Sequence, residues 1–187
     1  MCDQSISCPH SDDDLKRMWT MLKTKYQGKV VRGHKLVVRR CSRENTTIAG
    51  EFVVRPQDAP VVAVILYTSL ATPPTAFRLF CTLCHELGHW RSWAEDQRSP
   101  EYEEAHRVHR EDSPKANRNL SEMQKVLIYE EESRAWRHGH DLAAEVGFAD
   151  KSSYVAEAHR ALRFYQDELQ PAESLSSFSL AQVSDSA

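Results

Sequence analysis

The sequence predicts an α+β domain, a small, mostly antiparallel sheet packed on a helix that carries H-E-x-x-H, with further helices around them. Two observations carry this reading. Apolar residues recur at helical spacing in separate stretches before and after the middle of the chain. Between Lys29 and Thr68 the period changes to short β-branched and aromatic clusters divided by turn residues. The strand signals are therefore grouped in one stretch, as in an α+β domain.

Length and composition bound what this domain can be. A chain of 187 residues is one domain with room for a sizeable core. Hydrophobic residues are 41% and charged residues 27%, as in ordinary globular proteins. A net charge of −3 gives no electrostatic case for nucleic-acid binding. No apolar run approaches a membrane span, so no membrane partner is expected. Met1 to Asp14 is polar and acidic and lacks the apolar segment of an export signal. Five cysteines then read as reduced thiols in a cytoplasmic protein. The expected organisation is a flexible N-terminus over 1–10, a domain over 11–170 with a charged insertion at 96–118, and a disordered tail over 171–187.

Ser11 before Asp12, Asp13 and Asp14 is an N-cap with an acidic first turn. Leu15, Met18, Trp19, Leu22 and Tyr26 follow at helical spacing, and the helix ends near Gln27-Gly28. Val30-Val31, Leu36 to Val38, Thr47-Ile48, Phe52 to Val54 and Val61 to Tyr67 then predict three to five strands. The last is apolar throughout and leads into the motif helix.

Pro73-Pro74-Thr75 supplies a break and an N-cap for that helix, which runs to about Trp93. Leu79, Phe80, Leu83, Leu87 and Trp90 make one stripe; Cys81, His85, Gly88, His89 and Ser92 make the other. His85 and His89, four apart, point the same way and can fill two coordination positions of a zinc ion. Glu86 then sits beside the open position, where a water must lose a proton. Cys81 to His85 also spells C-x-x-C-H, the pattern for covalent haem, whose attachment outside the cytoplasm needs the export signal that Met1 to Asp14 lacks.

Asp96 to Arg118 is dense in charge, with Pro100 and Pro114 as breakers and a short helix over Glu101 to Arg110. It reads as an exposed insertion that recognises a partner, with His106 and His109 on its surface. Ser121 to Gln124 is a capping box, and helix follows to about Gly147. Its stripe is Ile128, Glu132, Ala135, Trp136, Gly139, Ala143 and Val146, with Glu130 and Glu131 expected to point toward solvent or a boundary. A carboxylate within a buried face is costly unless paired or metal-bound, which makes Glu132 the third ligand. A last helix runs from about Ser152 to Leu169.

The stretch from about Val61 to Gly147 resembles the ImmA/IrrE-like zinc metallopeptidases of the gluzincin group. The resemblance rests on an apolar strand, then F-C-T-L-C-H-E-L-G-H-W, then Glu132-Ser133-Arg134-Ala135-Trp136 on a later helix. It implies a zincin-like fold, with His85, His89 and Glu132 as zinc ligands and Glu86 as catalytic base. It also implies a cytoplasmic endopeptidase acting on a specific protein substrate, often a transcriptional repressor. The chain departs from that pattern in the long gap between His89 and Glu132 and in Trp136, where many gluzincins have an acidic or amide residue. His138-Gly139 superficially fits SprT-like zincins. H-E-L-G-H-W with a Glu-rich helix is also similar to ArdC-type anti-restriction proteins, which implies a non-proteolytic binding role. The oxyanion of peptide hydrolysis needs a donor besides zinc, and Tyr129, His138, His140 and Tyr154 are candidates. Strand Val61 to Tyr67 is expected to offer its edge to an extended substrate.

Overall fold

The computed structural model describes residues 9–43, 49–54, 61–69, 73–95, 98–111 and 120–169. In chain order the elements are α1 (Asp12–Tyr26), β1 (Val30–Val31), β2 (His34–Arg43), β3 (Gly50–Val54), β4 (Val61–Ser69), α2 (Ala76–Ala94), α3 (Pro100–Glu111), α4 (Glu122–Glu145) and α5 (Lys151–Leu169). The class is α+β, with a small mixed sheet. The Thr47-Ile48 cluster, Cys2, Cys8 and the 171–187 tail lie outside the described residues.

The caps expected from the sequence are in place. The side chains of Ser11, Thr75 and Ser121 accept the backbone N–H of Asp14, Arg78 and Gln124. At Ser121 the Gln124 side chain returns the bond, completing the capping box.

The sheet order is β1-β2-β4-β3. β1 and β2 form a hairpin whose turn, Arg32-Gly33, has φ of 52° and 74°. Two consecutive positive φ values mark the turn type that matches strand twist. β2 then pairs with β4 in parallel, from Lys35 opposite Val61 to Arg43 opposite Ser69, and β3 pairs with β4 antiparallel. The expected mostly antiparallel sheet is thus corrected to a mixed one whose longest ladder is parallel. β4 sits between β2 and β3, and an unbroken apolar run is the usual composition of a strand enclosed in this way. Its edges are taken, so the expectation that Val61 to Tyr67 offers an edge to substrate is also corrected. Among the described residues the strand without a second neighbour on this side of the sheet is β3.

α2 is the centre of the molecule. Every residue from Leu83 to Trp90 is buried, between the sheet and α4. A Cβ placed on Gly88 would stand 2.0 Å from the carbonyl oxygen of Ala135. The backbones of α2 and α4 therefore cross in contact, and glycine is required there. A second glycine repeats this further along α4, where a Cβ on Gly139 would stand 2.8 Å from the Cys84 carbonyl. The main core is formed by the inner faces of α1, α2, α4 and α5 against β2 and β4, including Leu22, Leu36, Val64, Leu83, Leu142 and Tyr154.

The charged segment after α2 differs from the expected exposed insertion. α3 buries Tyr102 and Ala105, and Ala105 joins Leu120, Ile128 and Leu169 in a second small cluster with Val108 and Tyr165 packed on it. Tyr102, Ala105 and Val108 are three apart, a narrow apolar strip hidden among many charges. No helix among the described residues is long and apolar enough to cross a membrane.

Candidate metal centre

His85 and His89 occupy one face of α2, one turn apart, and α4 brings Glu132 against them across the Gly88–Ala135 crossing. All three side chains are buried, at 8%, 6% and 4% exposure. The Nε2 of His85 lies 3.2 Å from Oε2 of Glu132, and the Nε2 of His89 lies 3.4 Å from Oε1. Yet Oε2 of Glu132 accepts no hydrogen bond, and neither does Nδ1 of His85 take part in one. Buried polar atoms left in this state are rare and ask for an explanation. A tetrahedral ion with bonds near 2.0–2.2 Å needs its ligand atoms roughly 3.3 Å apart. The two separations run to different oxygens of Glu132, and with one ligand atom from each residue the three lie within 4.8 Å of one another, so this group can hold a metal ion.

The rings are held from behind. Trp136 stacks on His85 with centroids 4.5 Å apart and planes 24° off parallel. Trp136, the residue four after Glu132, thus packs its flat face on the His85 ring. Behind His89 stands Glu131, whose Oε1 is 3.4 Å from the ring Nδ1. Glu131 also accepts from Ser92 Oγ, Arg98 Nε and Arg134 Nη1, each at 2.9 Å. A carboxylate on Nδ1 fixes the proton there and leaves Nε2 free for a metal. Nη2 of Arg98 is also 3.1 Å from that Nδ1; with the proton on Nδ1 this is a contact and not a bond. The expectation that Glu131 points to solvent or a boundary is corrected. It is 2% exposed, because the polar partners that enclose it come from α2 and from the segment entering α3, neither of which helical phase on α4 can reveal.

The charges follow from this packing. Burial opposes a charge on His89, but Glu132 and hydrogen bonds to Glu131 and Glu132 outweigh it and raise its pKa to about 9. Burial would also raise Glu132, yet His89 and His85 hold it well below the usual carboxylate range. Glu131 is lowered to about 2, where His89, Arg98 and Ser92 overcome its desolvation. Glu86 is raised, chiefly by burial, with His85 and His89 pulling the other way. A buried carboxylate moved toward neutrality suits a group that takes and returns a proton.

Glu86, His85, His89 and Glu132 line one cavity of about 410 Å³. Its floor is α2 and α4. One wall is Gly50, Glu51 and Phe52 of β3; the other is Arg98, Tyr102, His106 and His109, with Phe164 and Tyr165 of α5. Gly50 is needed where it stands, since a Cβ there would come within 2.9 Å of Glu86 Cγ. The edge strand can pass the catalytic candidate closely only without a side chain. His106 and His109, expected on the surface of an insertion, face this cavity.

None of the four expected oxyanion donors lines it. Tyr129 is buried and its hydroxyl accepts from Gln166 at 2.9 Å. Tyr154 is buried against Gly139 and meets the Trp136 ring edge-on at 5.6 Å, so it supports the ring that orients His85. His138 and His140 are half-buried on α4, and burial lowers both pKa values. Cys81 and Cys84 are fully buried in the main core and do not belong to the metal group. The residues that sequence reasoning missed are Glu131, Arg98, Glu51, Tyr102 and Tyr165. A comparison with known protein families, curated proteins and solved structures gives no match for this chain.

Proposed function

We propose that the protein is a zinc-dependent metalloendopeptidase of zincin-like fold that cleaves a protein substrate. The observation that carries this is the meeting of the buried His85, His89 and Glu132, with ligand atoms within 4.8 Å of one another, and of Glu86 beside them on the same cavity. Two neutral imidazoles and one carboxylate are the donor set of a catalytic zinc site, which keeps one position for water. Bound zinc supplies Lewis acidity and lowers the pKa of that water toward neutrality.

The chain's own residues do the rest. Glu86 accepts the proton from the attacking water and passes it to the leaving amine. Glu131 and Trp136 hold the two imidazoles in place while the charge at the centre changes. The β3 residues Gly50 to Phe52 line the cavity, and among the described residues β3 pairs with β4 alone, so an extended peptide can add there as a strand. The fully buried thiols of Cys81 and Cys84 favour this over haem attachment, which needs both sulfurs at a haem edge. The position of His138, outside the cavity lining, favours Glu132 over the SprT-like ligand set.

Elemental analysis of protein purified without added metal tests the first half, with about one zinc per chain expected. Hydrolysis of casein, retained metal and lost activity in Glu86→Gln test the second. Metal without hydrolysis in the wild type would favour the non-proteolytic binding role, and absence of metal uptake would end the reading.

A further inference from the structure

One large apolar side chain on α5 stands among polar, solvent-facing neighbours. The exposed residues of the second half of the helix are His159, Arg160, Arg163, Phe164 and Asp167, and Phe164 is 64% exposed. A single exposed apolar residue is ordinary in itself. Its position sets this one apart. Of the exposed large apolar residues among those described, Phe164 lines the cavity of the metal centre, and Met21, Val30, Val54 and Met123 do not.

The surroundings of Phe164 are rings. It meets Tyr165 edge-on with centroids 5.9 Å apart. Tyr165 lies 6.3 Å from the ring of His109, and Tyr102 stacks on His106 at 5.4 Å. All five line the cavity. Such a wall offers an entering aromatic ring the offset and edge-to-face contacts that rings prefer. An acidic side chain is opposed there, because Arg98 is committed to Glu131 and the carboxylates of Glu51, Glu86 and Glu132 share the lining. The helix holds Phe164 in place, with Leu162 in the main core and Leu169 in the smaller one.

An extended peptide added to β3 sends alternate side chains to the face of the sheet that α2 covers. Phe52 marks that face, since its ring lies 6.1 Å from Trp93 of α2. The cavity of about 410 Å³ admits few peptide residues, so a side chain entering it belongs to a residue beside the cleaved bond. We propose that Phe164 is a specificity-determining residue: with the rings of α3 and α5 it takes a large aromatic side chain of the substrate residue beside the cleaved bond. This rests on the metallopeptidase reading.

Cobalt(II)-loaded protein is titrated with hydroxamates and followed by visible absorption. The probes carry phenylalanine, alanine or aspartate on either side of the metal-binding group, as N-acetyl amino acid hydroxamates in one series and malonohydroxamates of the amino acid amides in the other. The wild type is expected to bind the phenylalanine probe about tenfold or more tighter than the alanine probe in at least one series. Phe164→Ala should cut that preference to below about threefold. Its affinity for the alanine probe, its zinc affinity by chelator competition and its denaturant midpoint should match the wild type, because the replaced side chain is exposed. Phe164→Trp should keep the preference. Equal binding of the phenylalanine and alanine probes by the wild type in both series overturns the proposal while the metal centre stands. A preference for aspartate also overturns it and assigns the wall to its histidines. A preference that survives Phe164→Ala overturns it as well and leaves recognition to the buried rings. A wild-type chain that takes up no metal overturns both readings together.

Discussion

The α2–α4 crossing and the α3–α5 wall line one cavity and are built on different terms. At the crossing two backbones touch through Gly88 and Ala135, and the groups in contact are wholly buried. At the wall the contacts are side chains of a small cluster, and Phe164 beside Tyr165 is 64% exposed. The crossing can hold ligand atoms to within the tolerance a metal demands. The wall can adapt to what enters. Catalytic sites commonly divide labour in this way, placing ligands on rigid elements and recognition on looser ones.

The same division decided what the sequence revealed. His85, His89 and Glu132 were legible because helical period fixes which residues of one helix share a face, and both helices were capped clearly. Gly139 and Ala135 were legible as small residues on that face. Glu131 was not, because the partners that cover it from outside α4 are Ser92 and Arg98, and period on α4 says nothing of what another segment lays over it. The parallel pairing of β2 with β4 was hidden because strand order follows from crossovers that local pattern does not record. α3 was misread because charge density masked three apolar residues.

The largest effect that would test the rigidity of the crossing is Gly88→Ala. In an open helix this change gains about 1 kcal/mol. Here the new methyl meets the Ala135 carbonyl, and overpacking against backbone should cost about 3 kcal/mol or more. A denaturant midpoint equal to the wild type would mean that the helices do not touch. Next is Glu132→Gln, which keeps shape and removes charge. Zinc affinity should fall at least tenfold, as loss of an anionic ligand implies.

Glu131→Gln ranks below it and separates shape from charge behind His89. Supports of this kind are worth about 10-fold or more in metal affinity, so a drop near tenfold is expected by chelator competition, with Glu130→Gln unchanged. An unchanged value in Glu131→Gln would return Glu131 to the role the sequence suggested. Acid stability of the metal-free protein offers a second view. The folded pKa of Glu131 is about 2 against an ordinary 4.5. A depressed carboxylate stabilises above its unfolded pKa, and that gain is lost as pH falls from about 4.5 toward 2. His89 acts in the opposite sense, since its pKa is raised from 6.5 to about 9. Its gain is complete below 6.5 and lost as pH rises through about 9. Metal-free protein should therefore be most stable between roughly pH 4.5 and 6.5, and Glu131→Gln should flatten the acid limb and, because Glu131 also helps raise His89, weaken the alkaline one.

The smallest effect sharpens the comparison from the side of the wall. Tyr102 is 3% exposed, and its hydroxyl is buried without a hydrogen-bond partner. A buried hydroxyl in that state costs stability, by about 1 kcal/mol or somewhat more, relative to a group that needs no partner. Tyr102→Phe keeps the ring under Arg98 and removes only the oxygen, so the denaturant midpoint should rise, by about 1 kcal/mol in free energy. No such gain is open at the crossing, where the glycine approach leaves no room for an added methyl. If Tyr102→Phe instead loses about 1 kcal/mol, the hydroxyl is tied down and the wall is as fixed as the floor. A gain means that this wall carries a polar group the fold itself does not use, placed in the cavity where a substrate can supply the missing partner.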